Sequence, residues 1–202
     1  NYYYGSTLLG NSSHIYDTTK ALTKASSFNY SNPGHTFTGW ATTNGGAVVY
    51  TDGQSVKNLT TTNGATINLY MVFRTNTYTL TYNANGGTGS MSSDTATYDS
   101  AFKTKQNAFS KTGYTFNGWN EKADGTGTAW SLASHGVYES GKSWTWKYTK
   151  NITLYAQWSP RTDISYVVNR YTMNTDGSTY TKYSTATYTG TANSTVSIAK
   201  YN

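Results

Sequence analysis

Residues 113–119 have the sequence Gly-Tyr-Thr-Phe-Asn-Gly-Trp, and residues 34–40 have the sequence Gly-His-Thr-Phe-Thr-Gly-Trp. Both stretches place a flat ring after the first glycine, then Thr-Phe, and both end in Gly-Trp. The two tryptophans, Trp40 and Trp119, lie 79 residues apart. A pattern that returns at such a distance indicates a repeated structural unit rather than one large domain.

A second pair of landmarks follows each copy. Residues 67–73 have the sequence Ile-Asn-Leu-Tyr-Met-Val-Phe, and residues 152–158 have the sequence Ile-Thr-Leu-Tyr-Ala-Gln-Trp. This pair lies 85 residues apart, so the second copy holds six additional residues between its landmarks, around Ser140–Trp146. A third pair, Thr-Ala-Thr-Tyr, occurs at residues 95–98 and 185–188.

These landmarks divide the chain into three parts. The first part has an opening strand that is missing or reduced to Tyr2–Tyr4, the second has every landmark, and the third has only the opening ones. The sequence therefore predicts a first repeat at 1–75, a complete repeat at 76–159, and the opening half of a third repeat at 160–202.

The composition favours strands. The chain has 20 tyrosines and 19 glycines, 16% of its residues are aromatic, and only 12% are charged. Tyrosine and threonine prefer pleated, half-buried surfaces, whereas disordered chains lack aromatic residues. Fifteen basic residues against nine acidic ones give a net charge of +6. The basic residues are scattered rather than gathered on one face, so we expect no nucleic-acid partner.

The sequence lacks the residues for a disulfide scaffold, a thiolate metal site and a membrane span. Without cysteine, the chain forms neither a disulfide scaffold nor a thiolate metal site. No apolar run approaches the roughly 20 residues that span a bilayer, so we expect no membrane insertion. A polar surface of low charge, rich in threonine, asparagine and tyrosine, favours an extracellular location.

Alternation of apolar and polar residues in the complete repeat predicts five strands and one helical segment. The helix or helical turn is expected at 101–109. In the central strand, strict alternation puts Phe116 on one face and Trp119 on the other. The predicted strands are Thr77–Asn83, Ser93–Tyr98, Tyr114–Asn120, Ser143–Tyr148 and Asn151–Trp158.

The ordered landmarks resemble a known family. Residues 79–87 (Thr-Leu-Thr-Tyr-Asn-Ala-Asn-Gly-Gly), residues 113–119 and residues 154–158 (Leu-Tyr-Ala-Gln-Trp) are similar to the Listeria–Bacteroides repeat, which includes the B-repeat of internalin-type proteins. The first part matches less completely, since Phe73 stands where a tryptophan closes the pattern. Residues 161–202 equally resemble a mucin-binding-like repeat.

The resemblance implies an α+β, mostly β fold of small tandem β-grasp-like repeats. It implies a secreted or wall-attached protein of a Gram-positive or gut bacterium, acting in adhesion or as a spacer stalk. The expected partners are a host or wall glycan, a protein receptor, and neighbouring repeats of the same protein. Two alternatives stay open: a glycan-binding accessory module of a large secreted hydrolase, and a structural subunit of an extracellular fibre or surface layer.

The landmark residues are expected to form the core. A glycine in a strand lets a large ring or a neighbouring backbone approach closely, which explains Gly39 and Gly118 before their tryptophans. Burial of such rings removes much apolar surface from water in a small unit. The expected core residues are Trp40, Trp119, Phe37, Phe116, Tyr70, Tyr155, Leu69 and Leu154.

The run at 144–148, Trp-Thr-Trp-Lys-Tyr, is the most functional-looking feature of the sequence. Alternation puts Trp144, Trp146 and Tyr148 on one strand face, which forms an aromatic platform if that face is exposed. With Trp130, these residues are the candidate contacts for a glycan or a partner. The alternative is that the face packs inside the repeat or against its neighbour.

The sequence offers little for catalysis or metal binding. The histidines His14, His35 and His135 are far apart, and the few acids do not assemble into the carboxylate pair of a glycoside hydrolase. Residues 174–177, Asn-Thr-Asp-Gly, lack the downstream glutamate of a calcium loop and predict a hairpin turn. We therefore expect a protein that is not an enzyme and that holds no cofactor or metal.

Overall fold

A computed structural model describes residues 1–130 and 144–197. The protein is mostly β, with 45% of the described residues in strands, which confirms this part of the predicted fold class. The described residues form the strands β1 (Tyr2–Tyr4), β2 (Thr7–Gly10), β3 (Lys20–Ala21), β4 (His35–Ala41), β5 (Ser55–Val56), β6 (Leu69–Thr75), β7 (Thr77–Asn83), β8 (Asp94–Thr97), β9 (Ala101–Phe102), β10 (Tyr114–Asn120), β11 (Ala129–Trp130), β12 (Trp144–Thr145), β13 (Ile152–Pro160), β14 (Ile164–Met173) and β15 (Tyr180–Gly190).

The predicted helix at 101–109 is wrong. Over the described residues the sole helical element is a three-residue 3-10 turn, Ala25–Ser27. Residues 101–102 form the short strand β9, and the chain then runs on without helical structure to Phe109. A residue distant in sequence helps to hold this segment: the Lys105 backbone N–H donates to the Tyr82 hydroxyl at 3.0 Å.

The chain folds into two compact units, and each is described by itself. The first contains Asn1–Tyr78, Thr95–Phe102 and Thr145–Lys150. The second contains the described residues of 79–94, 103–144 and 151–202. The first unit therefore also contains residues 76–78, Thr95–Phe102 and Thr145–Lys150, which belong to the predicted complete repeat.

A four-stranded sheet lies in the first unit. Its strand order is β2-β1-β6-β4, with β1 and β6 parallel at the centre. The register of this parallel pair puts Tyr2 opposite Leu69. Strand β4 runs antiparallel to β6 at one edge, and β2 runs antiparallel to β1 at the other.

The larger sheet has the same order with one strand added. Its order is β8-β7-β13-β10-β11, and β7 and β13 form the parallel central pair. Here Tyr82 lies opposite Leu154, so Tyr82 is the structural equivalent of Tyr2. The short strand β1 therefore occupies the place of β7 in the second sheet.

Both sheets have a β-bulge at the Gly-Trp motif. The register of β4 shifts between Phe37 and Gly39, and that of β10 shifts between Phe116 and Gly118. The two glycines have φ of +147° and +131°, a backbone conformation that side chains rarely tolerate. Backbone conformation at the bulge, shared by both copies, explains the glycine better than close approach does.

The bulge also corrects the predicted strand faces. Phe116 and Trp119 were expected on opposite faces, but their ring centroids lie 5.0 Å apart in an edge-to-face contact. Phe37 and Trp40 make the same contact at 5.2 Å. One extra residue in the strand resets the alternation and brings both rings to one face.

The predicted core is confirmed for its tryptophans and leucines. Trp40, Trp119, Leu69 and Leu154 are buried, whereas the predicted phenylalanines and tyrosines are half-buried. In the first unit the core cluster is Tyr2, Leu22, Trp40, Val56 and Leu69. In the described residues, neither the Trp40 nor the Trp119 indole N–H has an acceptor. Both rings are therefore held by packing and edge-to-face contacts.

The last described segment is a long hairpin of β14 and β15 in the second unit. Its tip, residues 174–177, is the predicted turn: the Gly177 N–H donates to the Asn174 carbonyl at 3.0 Å. The Asp176 carboxylate accepts hydrogen bonds from the Ser178 N–H and from the N–H and hydroxyl of Thr179. These donors lower the pKa of Asp176 to about 2.

Candidate functional site

The four aromatic residues proposed as ligand contacts do not form an exposed platform. Trp146 is fully buried and Trp130 is 1% exposed, while Trp144 and Tyr148 are half-buried. Packing, the alternative left open by the sequence, therefore describes Trp146 and Trp130. A direct ligand contact by either ring would require its surroundings to move, and contact by Trp144 or Tyr148 stays a prediction.

Specific contacts hold these rings in place. The Trp146 indole N–H donates to the Tyr148 carbonyl at 2.8 Å, and its ring packs edge-to-face on Phe102 with centroids 5.0 Å apart. In the second unit, the Trp130 indole N–H donates to the Glu121 carboxylate at 3.0 Å. The inserted residues 140–143 of the second copy lie outside the described residues.

The first unit contains a cavity of about 460 Å³. It lies between the segment around His14 and the loop at 58–67, with the core residues Tyr2, Leu22 and Val56 in its wall. The loop contributes mostly threonine and asparagine side chains. The wall therefore combines polar and apolar side chains, as small-molecule sites do.

A chain of hydrogen bonds lines this cavity. The Tyr2 hydroxyl lies 3.1 Å from the Ser12 hydroxyl, which lies 3.1 Å from His14 Nε2. Burial, followed by the charges of Lys20 and the amino terminus, lowers the pKa of His14. A neutral imidazole beside a serine is one part of a nucleophilic triad, but no carboxylate lines the cavity to orient His14.

The described residues contain no group of three or more histidine or acidic side chains that could hold a metal ion. The acidic side chains lie instead in turns and ion pairs. Asp124 accepts from the N–H and hydroxyl of Thr126, and these bonds lower its pKa. Asp163 pairs with Arg161 at 2.7 Å.

A contact in the first unit joins the two predicted repeats. The Tyr98 ring covers Gly34, which is buried and has φ of +73°, so closely that a Cβ atom at Gly34 would collide with the ring. The ring of His35 meets Tyr98 edge-to-face at 5.6 Å. Two backbone hydrogen bonds frame the contact: Asn76 N–H to the Gly34 carbonyl at 2.9 Å, and Tyr98 N–H to the Asn76 carbonyl at 3.0 Å.

The same arrangement occurs in the second unit. The Arg161 N–H donates to the Gly113 carbonyl at 2.8 Å, and the Ala192 N–H donates to the Arg161 carbonyl at 2.8 Å. A Cβ atom at Gly113 would lie 3.0 Å from the Ala192 Cβ. The Asn193 amide donates to the Tyr114 hydroxyl at 2.7 Å, where Tyr114 is the counterpart of His35. A glycine turn, a linker residue and a later turn thus meet twice, and we call this arrangement the junction.

Sequence reasoning missed the junction, although a signal was present. Tyr-Asp occurs at 16–17 and 98–99, and the first glycine of the 34–40 and 113–119 patterns is the residue that the later turn covers. Glycine was interpreted for the Gly-Trp step only. The partner of Gly34 lies 64 residues away, which no local pattern reveals.

Comparison with known proteins identifies relatives of this chain. The Listeria-Bacteroides repeat domain model matches residues 5–70 and 78–157. Internalin H of Listeria monocytogenes serovar 1/2a is 33% identical over 129 residues, which are 62% of this chain and 19% of the relative. A putative Gly-rich membrane protein of Evansella cellulosilytica is 31% identical over 134 residues, which are 64% of this chain and 14% of the relative.

The chain therefore spans less than a fifth of the length of these two relatives. No solved structure matches it significantly. Within the described residues, no helix is long and apolar enough to cross a membrane.

Proposed function

Because the chain belongs to the Listeria-Bacteroides repeat domain family, we propose that it is a non-catalytic structural segment that spaces other parts of a bacterial surface protein. The resemblance seen in the sequence is the family that the comparison identifies. An extracellular location, attached to the wall or secreted, is part of the proposal. The kinship with internalin H and with a Gly-rich membrane protein supports it.

The junction is the observation that carries this function. Each junction uses two backbone hydrogen bonds through a single linker residue, Asn76 or Arg161. A linker held in this way transmits position from one repeat to the next, whereas a glycine- and serine-rich linker behaves as a random coil. A spacer needs such coupling, and an enzyme or a soluble receptor does not.

The sheet order supports the β-grasp-like expectation. A β-grasp sheet has its first and last strands parallel at the centre, and the pairs β1–β6 and β7–β13 have this arrangement. The helix that crosses such a sheet is replaced by extended chain between β9 and Phe109 in the described part of the second copy. We infer a β-grasp-like unit whose crossover has lost its helix.

The spacer function is tested on a cell surface. Residues 1–202 are placed between a wall anchor and an epitope, and binding of an antibody coupled to a large bead is measured. We expect strong bead binding, weaker binding when the segment is deleted, and intermediate binding when a glycine- and serine-rich linker of equal length replaces it. Bead binding that is unchanged by deletion of the segment contradicts the function.

Adhesion is a second candidate, favoured by the surface of the β14–β15 hairpin. Tyr171, Tyr180 and Tyr183 are each more than half exposed, and Met173 is 57% exposed. Exposed apolar residues gathered on one element mark a contact surface for a glycan or a protein receptor. The test is a glycan array with the 202-residue chain, compared with a Tyr180→Ala/Tyr183→Ala variant. Adhesion to a glycan predicts saturable binding that the variant loses, and absence of binding by the unchanged chain contradicts adhesion to a glycan.

A further inference from the structure

The turn that forms the first junction has a recognisable geometry. In residues 97–100, Asp99 has φ of +58° and the Ser100 N–H donates to the Thr97 carbonyl at 3.2 Å. Lys147 forms an ion pair with the Asp99 carboxylate. These contacts hold Tyr98 at the apex of the turn, where its ring covers Gly34.

Residues 15–18 form the same turn near the beginning of the first repeat. Asp17 has φ of +60°, and the Thr18 N–H donates to the Ile15 carbonyl at 3.2 Å. Lys57 pairs with Asp17 at 3.3 Å, as Lys147 pairs with Asp99. Tyr16 therefore occupies the apex position of Tyr98, with the same aspartate beside it and a lysine from the same later part of the repeat.

A third copy of the turn, residues 191–194, also lies at a junction. Asn193 has φ of +58°, the Ser194 N–H donates to the Thr191 carbonyl at 3.1 Å, and the apex residue Ala192 faces Gly113. Two of the three turns, those at 97–100 and 191–194, thus cover a glycine of another repeat. The turn at 15–18 has the same backbone geometry and differs in what covers its apex residue, Tyr16.

The apex of the turn at 15–18 is exposed to solvent. Tyr16 is 59% exposed and Ile15 beside it is 74% exposed, whereas Tyr98 is half-buried on Gly34. The glycines Gly34 and Gly113 are already covered by Tyr98 and Ala192. A partner for Tyr16 must therefore bring a glycine turn of its own.

We propose that the Tyr16 turn is a docking site for a further repeat of the same kind. That repeat would place a glycine with a positive φ against the Tyr16 ring and the carbonyl of its linker residue beside the Tyr16 turn. This inference rests on the proposed spacer function, because it names the partner through which the segment joins its array. The ring would lie on the incoming glycine as Tyr98 lies on Gly34, and the exposed Tyr16 and Ile15 would become buried.

The test supplies such a repeat in the correct register. Tyr2 and Tyr82 are equivalent, so an extended chain is made in which residues 1–81 precede residues 2–202 and Tyr2 takes the place of Tyr82. Tyrosine nitration is mapped by mass spectrometry in the extended and the original chains. Nitration of Tyr98, which is covered in both chains, provides the internal standard.

In the original chain we expect Tyr16 to be nitrated readily. In the extended chain, the nitration of the second Tyr16, which follows the added copy, should fall to the level of Tyr98, and Gly34→Ala in the added copy alone should restore it. The Tyr16 of the added copy should still be nitrated readily. Tyr16→Ala provides a second readout, since it should lower the thermal unfolding midpoint of the extended chain and leave that of the original chain unchanged.

Equal nitration of Tyr16 in the two chains, or an equal effect of Tyr16→Ala on the two midpoints, overturns the proposal. Either result would leave the bead-binding experiment unaffected, because that experiment depends on the junctions inside residues 1–202. Failure of bead binding with protection of Tyr16 retained would instead reject the spacer function and keep the docking site.

Discussion

Glycine precedes the buried tryptophan in both sheets, and the two glycines differ in how closely neighbouring atoms approach them. At Gly39 a Cβ atom would lie 2.6 Å from the Tyr50 carbonyl oxygen, so the site is crowded as well as conformationally strained. At Gly118 nothing lies within 4 Å of the same position. The sequence suggested close approach at both glycines, and this holds for Gly39 alone.

Substitution by alanine separates the two effects. Gly118→Ala should destabilise the protein by about 1–3 kcal/mol, the usual strain of a forbidden backbone conformation. Gly39→Ala should destabilise it further because the new methyl group meets a backbone carbonyl that cannot move freely. Urea denaturation of both variants measures the difference, and an equal loss in the two would show that crowding at Gly39 has no effect.

Trp146 illustrates how burial decides between two interpretations of one strand. Its ring is fully buried, and Thr145 beside it is exposed. Trp146→Ala should lower the unfolding free energy by about 3–5 kcal/mol, the range for large buried rings. Thr145→Ala, the matched control, should change it by about 0.5 kcal/mol or less. Retained stability in Trp146→Ala would mean that the ring is available to a ligand.

At the scale of elements, two strands could be predicted to the residue and one segment could not. Strands β7 and β10 have the predicted bounds, Thr77–Asn83 and Tyr114–Asn120, because alternation and flanking turns define them locally. The segment at 101–109 was assigned to a helix. It is held instead by the Tyr82 hydroxyl, 23 residues from Lys105, and local propensity contains no such information.

The tyrosine that fixes this crossover can be tested directly. The Tyr82 hydroxyl donates to Asp94 at 2.8 Å and accepts from the Lys105 N–H at 3.0 Å. Tyr82→Phe removes both bonds and should cost about 1–3 kcal/mol of stability, because partly buried groups lose their partner. Tyr180→Phe, at an exposed position, should have little effect. Amide exchange at Lys105 that stays as slow as before in Tyr82→Phe would contradict this role.

The hairpin tip should respond to acid. The pKa of Asp176 in the folded chain is about 2, against an ordinary value of 3.8. The hydrogen bonds to its carboxylate therefore stabilise the tip fully at pH values above the ordinary pKa. This stabilisation should be lost as the pH falls from about 4 to about 2. The protection factors of the Ser178 and Thr179 amides, which are exchange rates corrected for their intrinsic pH dependence, measure the loss. Asp176→Asn is the control whose protection factors should not depend on pH in this range. Protection factors of the original chain that stay constant over this range contradict the assignment.

At the scale of the whole molecule, the landmarks predicted a first repeat at 1–75, a complete repeat at 76–159 and the opening half of a third at 160–202, and these bounds stay a prediction. The four-stranded and five-stranded sheets share the order of four strands. The landmarks did not predict how successive copies meet. The sequence shows a glycine at 34 and a tyrosine at 98, and only the folded chain brings them together through Asn76. The burial of Trp146 and Trp130 could not be predicted for a related reason, since alternation gives the face of a strand but not what covers that face.

The central claim is that successive repeats are coupled through the junction, and a double-mutant cycle of Gly34→Ala and Tyr98→Ala tests it most directly. In the original chain, Gly34→Ala adds a methyl group that collides with the Tyr98 ring, in addition to the strain of its positive φ. In the Tyr98→Ala background only the strain remains.

Gly113→Ala is the matched control, because its neighbour is Ala192 and its effect should not depend on Tyr98. The unfolding free energies of the four Gly34 and Tyr98 combinations give the coupling. We predict that Gly34→Ala costs less in the Tyr98→Ala background, with a coupling of about 0.5–3 kcal/mol, as expected for side chains in direct contact. Strictly additive losses would contradict the junction.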